Sequence, residues 1–207
     1  MRATRQVQVR TVTGVCSAIG GIAWVAACFV HNSLPQGCIG DQCGGGNAMR
    51  GSSPVDTTLF VVAGLMLASS GMGLLVLAHR RAGSGRLGVL AGISAGLGLV
   101  LLAAAGVVSI VDNNWNGMPG LVIPGVLLLV LGLVLVAAVV LRAHVVPVWV
   151  AALLLGTALL LLFANEQTSR ILLAVPFGIA WLTMGVVLLR TPAGQGSRPP
   201  AFALEDE

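Results

Sequence analysis

Six solid apolar runs separated by short polar breaks set the pattern of this chain. The stretches Leu121 to Leu141 and Val148 to Phe163 hold almost nothing polar, whereas a membrane β-barrel strand alternates apolar and polar over about ten residues. In lipid a segment has to satisfy its own backbone hydrogen bonds, and only a helix does so within one run. The pattern therefore predicts six transmembrane helices, over residues 11–30, 57–78, 87–111, 119–141, 146–164 and 171–189. At about 1.5 Å per residue each is long enough for a hydrocarbon core about 30 Å thick. Residues 1–190 form this domain. Residues 191–207, rich in Pro, Gly and Ser and ending Glu205-Asp206-Glu207, read as a disordered cytoplasmic tail.

Composition agrees with a lipid solvent. Mean hydropathy is +0.97, and 57% of residues are hydrophobic against 9% charged. A soluble domain carries about 25% charged residues, so this chain has too few to coat itself for water. The expected fold class is all-α: a polytopic transmembrane bundle of six helices arranged as three hairpins, in contact with the lipid bilayer. A net charge of +4 would raise nucleic acid as a partner in a soluble protein. Here the arginines lie beside helix ends, where they set topology, and no nucleic-acid partner is expected.

The arginines are distributed unevenly. Arg2, Arg5 and Arg10 precede the first run; Arg80, Arg81 and Arg86 lie between the second and third; Arg142 lies between the fourth and fifth; Arg190 and Arg198 follow the sixth. With six crossings all of these fall on one side, which leaves Arg50 and Arg170 on the other with Asp41, Asp56, Asp112 and Glu166. The positive-inside rule then places both termini in the cytoplasm. Each returning run ends in a basic stop, and Gly71 and Gly73, Pro124 and Gly125, and Pro176 and Gly178 recur along those runs, which suggests a threefold hairpin repeat. The absence of Lys and Tyr, with much Ala, Gly, Val and Leu, suggests a GC-rich bacterial genome and a plasma-membrane location.

Candidate chemistry is sparse. The predicted runs contain no Asp, Glu, Lys or Arg, and an ionisable group inside a span is what a proton- or ion-coupled transporter usually carries. No nucleophile–base pair, HExxH or phosphate loop is found, so no catalytic residue, cofactor or metal is assigned. The longest exterior loop, His31 to Asp56, holds Cys38 and Cys43, for which a structural disulfide is the first reading. A thiol redox site and metal binding by Cys38, Cys43, His31 and Asp41 are the alternatives. Val25-Ala26-Ala27-Cys28 resembles a lipobox, although a cysteine in an uncleaved first helix is preferred. Gly88, Gly92 and Gly96, spaced by four, predict a close helix contact, either within the chain or with a second copy. His31, His79 and His144 read as interfacial residues, and Trp24, Trp115, Trp149 and Trp181 as interfacial anchors.

The Gly-interrupted helix Gly88 to Val100 follows a basic loop, and Pro176-Phe177-Gly178-Ile179-Ala180-Trp181 lies in the last hairpin. In these features the chain resembles the HdeD-type acid-resistance membrane proteins. The second stretch also resembles uncharacterised actinobacterial six-helix proteins. The resemblance implies a six-helix membrane fold and an envelope-stress setting, and it supplies no site residues. The Cys-bearing loop departs from it. The expected function is a non-catalytic interaction, accessory or envelope-stress protein, with a homo-oligomer or a membrane-protein partner. The alternative is a small transporter or channel for an uncharged or apolar solute.

Overall fold

The computed structural model describes residues 2–44, 48–83, 85–112 and 116–190, all helix, turn or loop. Six α-helices follow one another: α1 (Arg2–Ser33), α2 (Pro54–Ala82), α3 (Gly85–Val111), α4 (Met118–Arg142), α5 (Val148–Leu160) and α6 (Val175–Arg190). Short 3₁₀ segments occupy Gly40–Gly44, Leu161–Phe163 and Ser169–Ala174. Five segments are long and apolar enough to cross a membrane: Gln6–Ser33, Pro54–Ala82, Gly85–Val111, Met118–Arg142 and Ser169–Arg190. Large apolar side chains on their outer faces, such as Val61, Val100 and Leu127, are exposed, as lipid contact requires. The chain is thus built as an integral membrane protein. Its tail, 191–207, and the predicted anchor Trp115 lie outside the described residues.

The fifth run is shorter than its predicted 146–164. It starts after Pro147, the cap residue of α5, and ends as the 3₁₀ turn Leu161–Phe163, so it reaches about 26 Å. α2, in contrast, starts earlier than Thr57. Ser53 is extended, its Oγ accepts from Asp56 N at 3.1 Å, and Pro54 takes the first helical position, where its missing N–H costs nothing. α1 also starts nine residues before the predicted Thr11. As a result Arg10 and Asp56 both lie inside helices, and both are buried.

The helices pack antiparallel in a defined set of pairs. α3 lies along α4, and α1 lies along both α2 and α6. α6 packs more extensively on α1 than on α5, its neighbour in sequence. On α1 with α6 and on α3 with α4, close backbone approaches use small residues spaced by seven. A Cβ on Gly21 would come within 2.5 Å of Gly178 O, and one on Gly185 within 2.6 Å of Gly14 O. On the other pair, a Cβ on Gly98 would meet Leu129 N at 2.5 Å and one on Gly132 would meet Ala95 N at 2.5 Å. Ala91, Gly98 and Ala105 are the buried faces of successive double turns of α3, with Gly125, Gly132 and Val139 on α4. A seven-residue repeat keeps one face on its partner through a shallow left-handed supercoil.

The predicted stripe behaves differently. Gly88 is buried. A Cβ on Gly92 would meet only Leu75, at 3.8 Å, and one on Gly96 would meet nothing within 4 Å. Within the chain the close contact of α3 therefore runs through Ala95 and Gly98, not through Gly92 and Gly96.

Two ends of the bundle can be named by their contents. Arg10 Nε donates to Leu188 O and Arg81 Nη1 donates to His144 O, which brings together the start of α1, the α2–α3 and α4–α5 turns and the end of α6. This basic end carries Arg80, Arg81, Arg86, Arg142 and Arg190. The opposite cap end carries the loop after α1 and the α5–α6 turn.

Candidate functional site

The loop between α1 and α2 is the largest non-membrane feature, and it is fastened down on several sides. Asp56, three residues into α2, would in an ordinary capping box reach back to its own cap residue. Its carboxylate instead meets His31, in the last turn of α1, with Oδ2 2.9 Å from Nδ1. Both side chains are buried, Asp56 at 2% exposure. His31 Nε2 lies 3.1 Å from Glu166 O in the α5–α6 turn. A carbonyl only accepts, so Nε2 carries a proton there. The Nδ1–Oδ2 bond then needs one further proton, on the ring or on the carboxyl. Either way the pair is neutral as a unit and locks three segments together. Phe60 closes over the ring edge-on, with centroids 5.9 Å apart.

Arg50 supplies the second fastening. Its side chain is buried in the loop. Nε donates to Pro35 O at 3.1 Å, and Nη1 donates to His31 O at 3.3 Å and Thr168 O at 3.4 Å. A cation over the last turn of α1 also complements the negative end of that helix. The main-chain N–H of Arg50 donates to Gln167 Oε1 at 2.6 Å, while Gly37 N donates to Gln167 O at 3.0 Å. Gly37 is pinched between Gln167 and Arg50 so tightly that no side chain fits there. One residue of the α5–α6 turn thus holds both strands of the loop.

Beyond these anchors the loop turns back on itself. Cys38 and Cys43 lie at disulfide distance, their Cα atoms 5.0 Å apart, across the 3₁₀ turn that begins at Gly40. Gly40 has φ +56°, a conformation that suits glycine. Cys38 N donates to Ala48 O, and Met49 Sδ lies 3.1 Å from Cys38 Sγ. An open cleft of about 600 Å3 runs between Pro35–Cys38 and Met49–Ser52. Ile39, at 47% exposure, projects from the loop tip.

The other predicted groups are placed as follows. Cys38 and Cys43 come together, whereas His31 is committed to Asp56 and Glu166 and stays away from them. Among the described residues no three His, Cys, Asp or Glu side chains converge as metal ligands would. Cys28 lies near the C-terminal end of α1, buried against Ile171 and Ala174. Trp181, expected at an interface, is a core residue at 1% exposure, joined edge-on through Phe177 to Trp24 and on to Phe60. Trp24 Nε1 donates to Ala174 O at 2.9 Å. Ser17, Ser70 and Thr157 are all spent on backbone carbonyls: Trp181 O, Thr13 O and Leu153 O. Arg50 and Asp56 lie 19 and 25 residues from His31 along the chain, at a spacing that does not announce their meeting. The signal available for Asp56 was Ser53-Pro54-Val55-Asp56, a cap followed three residues later by a carboxylate. Comparison with known proteins finds no match: no family model, curated protein or solved structure aligns with the chain.

Proposed function

We propose that this is a non-catalytic plasma-membrane protein of a bacterium, crossing six times with both termini in the cytoplasm, whose fastened outer loop is a contact surface for an envelope partner. The observation that carries this reading is the anchoring of residues 34–38 and 48–53 of the loop. A loop held by a buried His–Asp pair, a buried guanidinium and Gln167 loses little further entropy when a partner binds. It presents Ile39 and the cleft beside Cys38 in one fixed arrangement. The His31–Asp56 pair has the form of a base and its orienting carboxylate, but Nε2, the nitrogen that would face a nucleophile, is occupied by Glu166 O. That supports a structural role for the pair. The hydroxyls inside the bundle are likewise occupied by carbonyls, which weighs against the solute-path alternative. The resemblance to HdeD-type proteins suggests envelope stress as the setting.

The test is affinity purification of the tagged chain in mild detergent, with mass spectrometry and a native mass. A stoichiometric heterologous partner is expected with the wild type and is lost with Ile39→Asp. A clean monomer or homo-oligomer from the wild type would overturn the reading and direct attention to liposome flux.

A further inference from the structure

The two ends of the bundle differ in more than their count of arginines. Every carboxylate of the described residues, Asp41, Asp56, Asp112 and Glu166, belongs to the cap end. Arg10 sits at the basic end and is only 9% exposed, between α1 and the last turn of α6, where Nε donates to Leu188 O at 3.0 Å. α1 and α2 pair antiparallel with Thr13 against Ser70 and Gly73, which carries Arg10 and Arg81 to the same end of that helix pair. Arg81 extends from the last turn of α2 to His144 O at 2.6 Å, at the end of α4. Both guanidiniums are thus held by carbonyls at helix C-termini, which offer partial negative charge. Neither has an ion pair among the described residues.

A buried charge is ordinarily neutralised by a full counter-charge, because desolvation is otherwise uncompensated. Arg10 has five N–H donors and spends one on Leu188. It lies where α6 ends, level with Arg190, which in a bilayer is the depth of the lipid headgroups. The anion present at that depth is a phosphodiester, and a guanidinium matches its oxygens two at a time. We propose that Arg10 and Arg81 form a binding site for the phosphate of an anionic phospholipid, which supplies the missing counter-charge and ties α1, α2, α4 and α6 together at this end. The site is independent of whether the cap binds a partner.

The test uses the full chain purified in a neutral maltoside detergent, with unfolding followed by heating in mixed micelles. Phosphatidylglycerol is expected to raise the midpoint by about 5 °C over phosphatidylcholine. The rise should vanish in Arg10→Gln, shrink in Arg81→Gln, and survive in Arg86→Gln, an exposed arginine on the same face. An equal rise with phosphatidylcholine would overturn the proposal. So would a rise from inorganic phosphate alone, which would identify a free anion as the ligand. Equal loss in Arg86→Gln would mean a diffuse charge effect and would also overturn it. Should Arg10→Gln fail to fold, the comparison of Arg81→Gln with Arg86→Gln decides the matter.

Discussion

His31 bonds two groups at once, and that explains why a histidine at the end of a membrane helix is buried. The ring meets Glu166 O and Asp56 Oδ2 together, which neither a smaller nor an apolar residue would do. His31→Ala leaves Asp56 buried without its partner and should destabilise the chain by about 3–5 kcal/mol in thermal or denaturant unfolding. A loss below about 1 kcal/mol would mean that the cluster is wet and its geometry incidental. His144 shows the opposite situation. It has φ 48°, in the left-handed region, where it ends α4 in a Schellman turn with Val145 N donating to Val140 O at 3.1 Å. The fold uses its main chain: N donates to Leu141 O at 3.1 Å, and O accepts from Arg81 Nη1. His144→Gly should therefore raise stability by about 0.5–1 kcal/mol and keep the Arg81 contact. A destabilised variant would show that the imidazole itself is needed.

At the scale of the element, the helices were legible and their meeting faces were not. Uniform runs of Leu, Val and Ala fix where a span lies, but they carry no amphipathic signal when lipid and core are equally apolar. Gly88, Gly92 and Gly96 attract attention by their spacing of four. On a straight helix each such step turns the face by about 40°, while a step of seven turns it by about 20° the other way. Long antiparallel pairs are better served by the latter, as Gly14 and Gly21 facing Gly185 and Gly178 show. The consequence is testable by unfolding in mixed micelles. Gly21→Leu pushes a side chain into the backbone of α6 and should cost about 3 kcal/mol or more. Gly96→Leu enters open space and should change stability by less than about 0.5 kcal/mol. Equal damage from both would contradict the packing described above. The fifth run was over-extended for a local reason, since apolarity continues to Ala164 while the helix tightens at Leu161.

At the scale of the whole molecule, charge and cysteine placement decide what the protein presents to each side. The nearness of Cys38 to Cys43 was legible from their separation in a glycine-rich loop. The fastening of that loop was not, because it joins His31, Arg50 and Asp56 to Glu166, Gln167 and Thr168, more than a hundred residues away. Only the folded bundle brings the end of α1 to the α5–α6 turn. The same bundle gathers Arg10, Arg81, Arg142 and Arg190 at the far end, the end that the proposed topology turns to the cytoplasm.

An outward-facing loop closed by a disulfide is the claim on which the proposed function depends, and thiol labelling of intact cells tests it most directly. In a Cys16→Ser, Cys28→Ala background the remaining cysteines are Cys38 and Cys43. The chain should resist a membrane-impermeant maleimide until an impermeant phosphine reductant is added, and should then gain two tags without permeabilisation. Labelling that appears only after the membrane is opened would place the loop in the cytoplasm. Labelling without reductant would show free thiols. Either result would contradict the account.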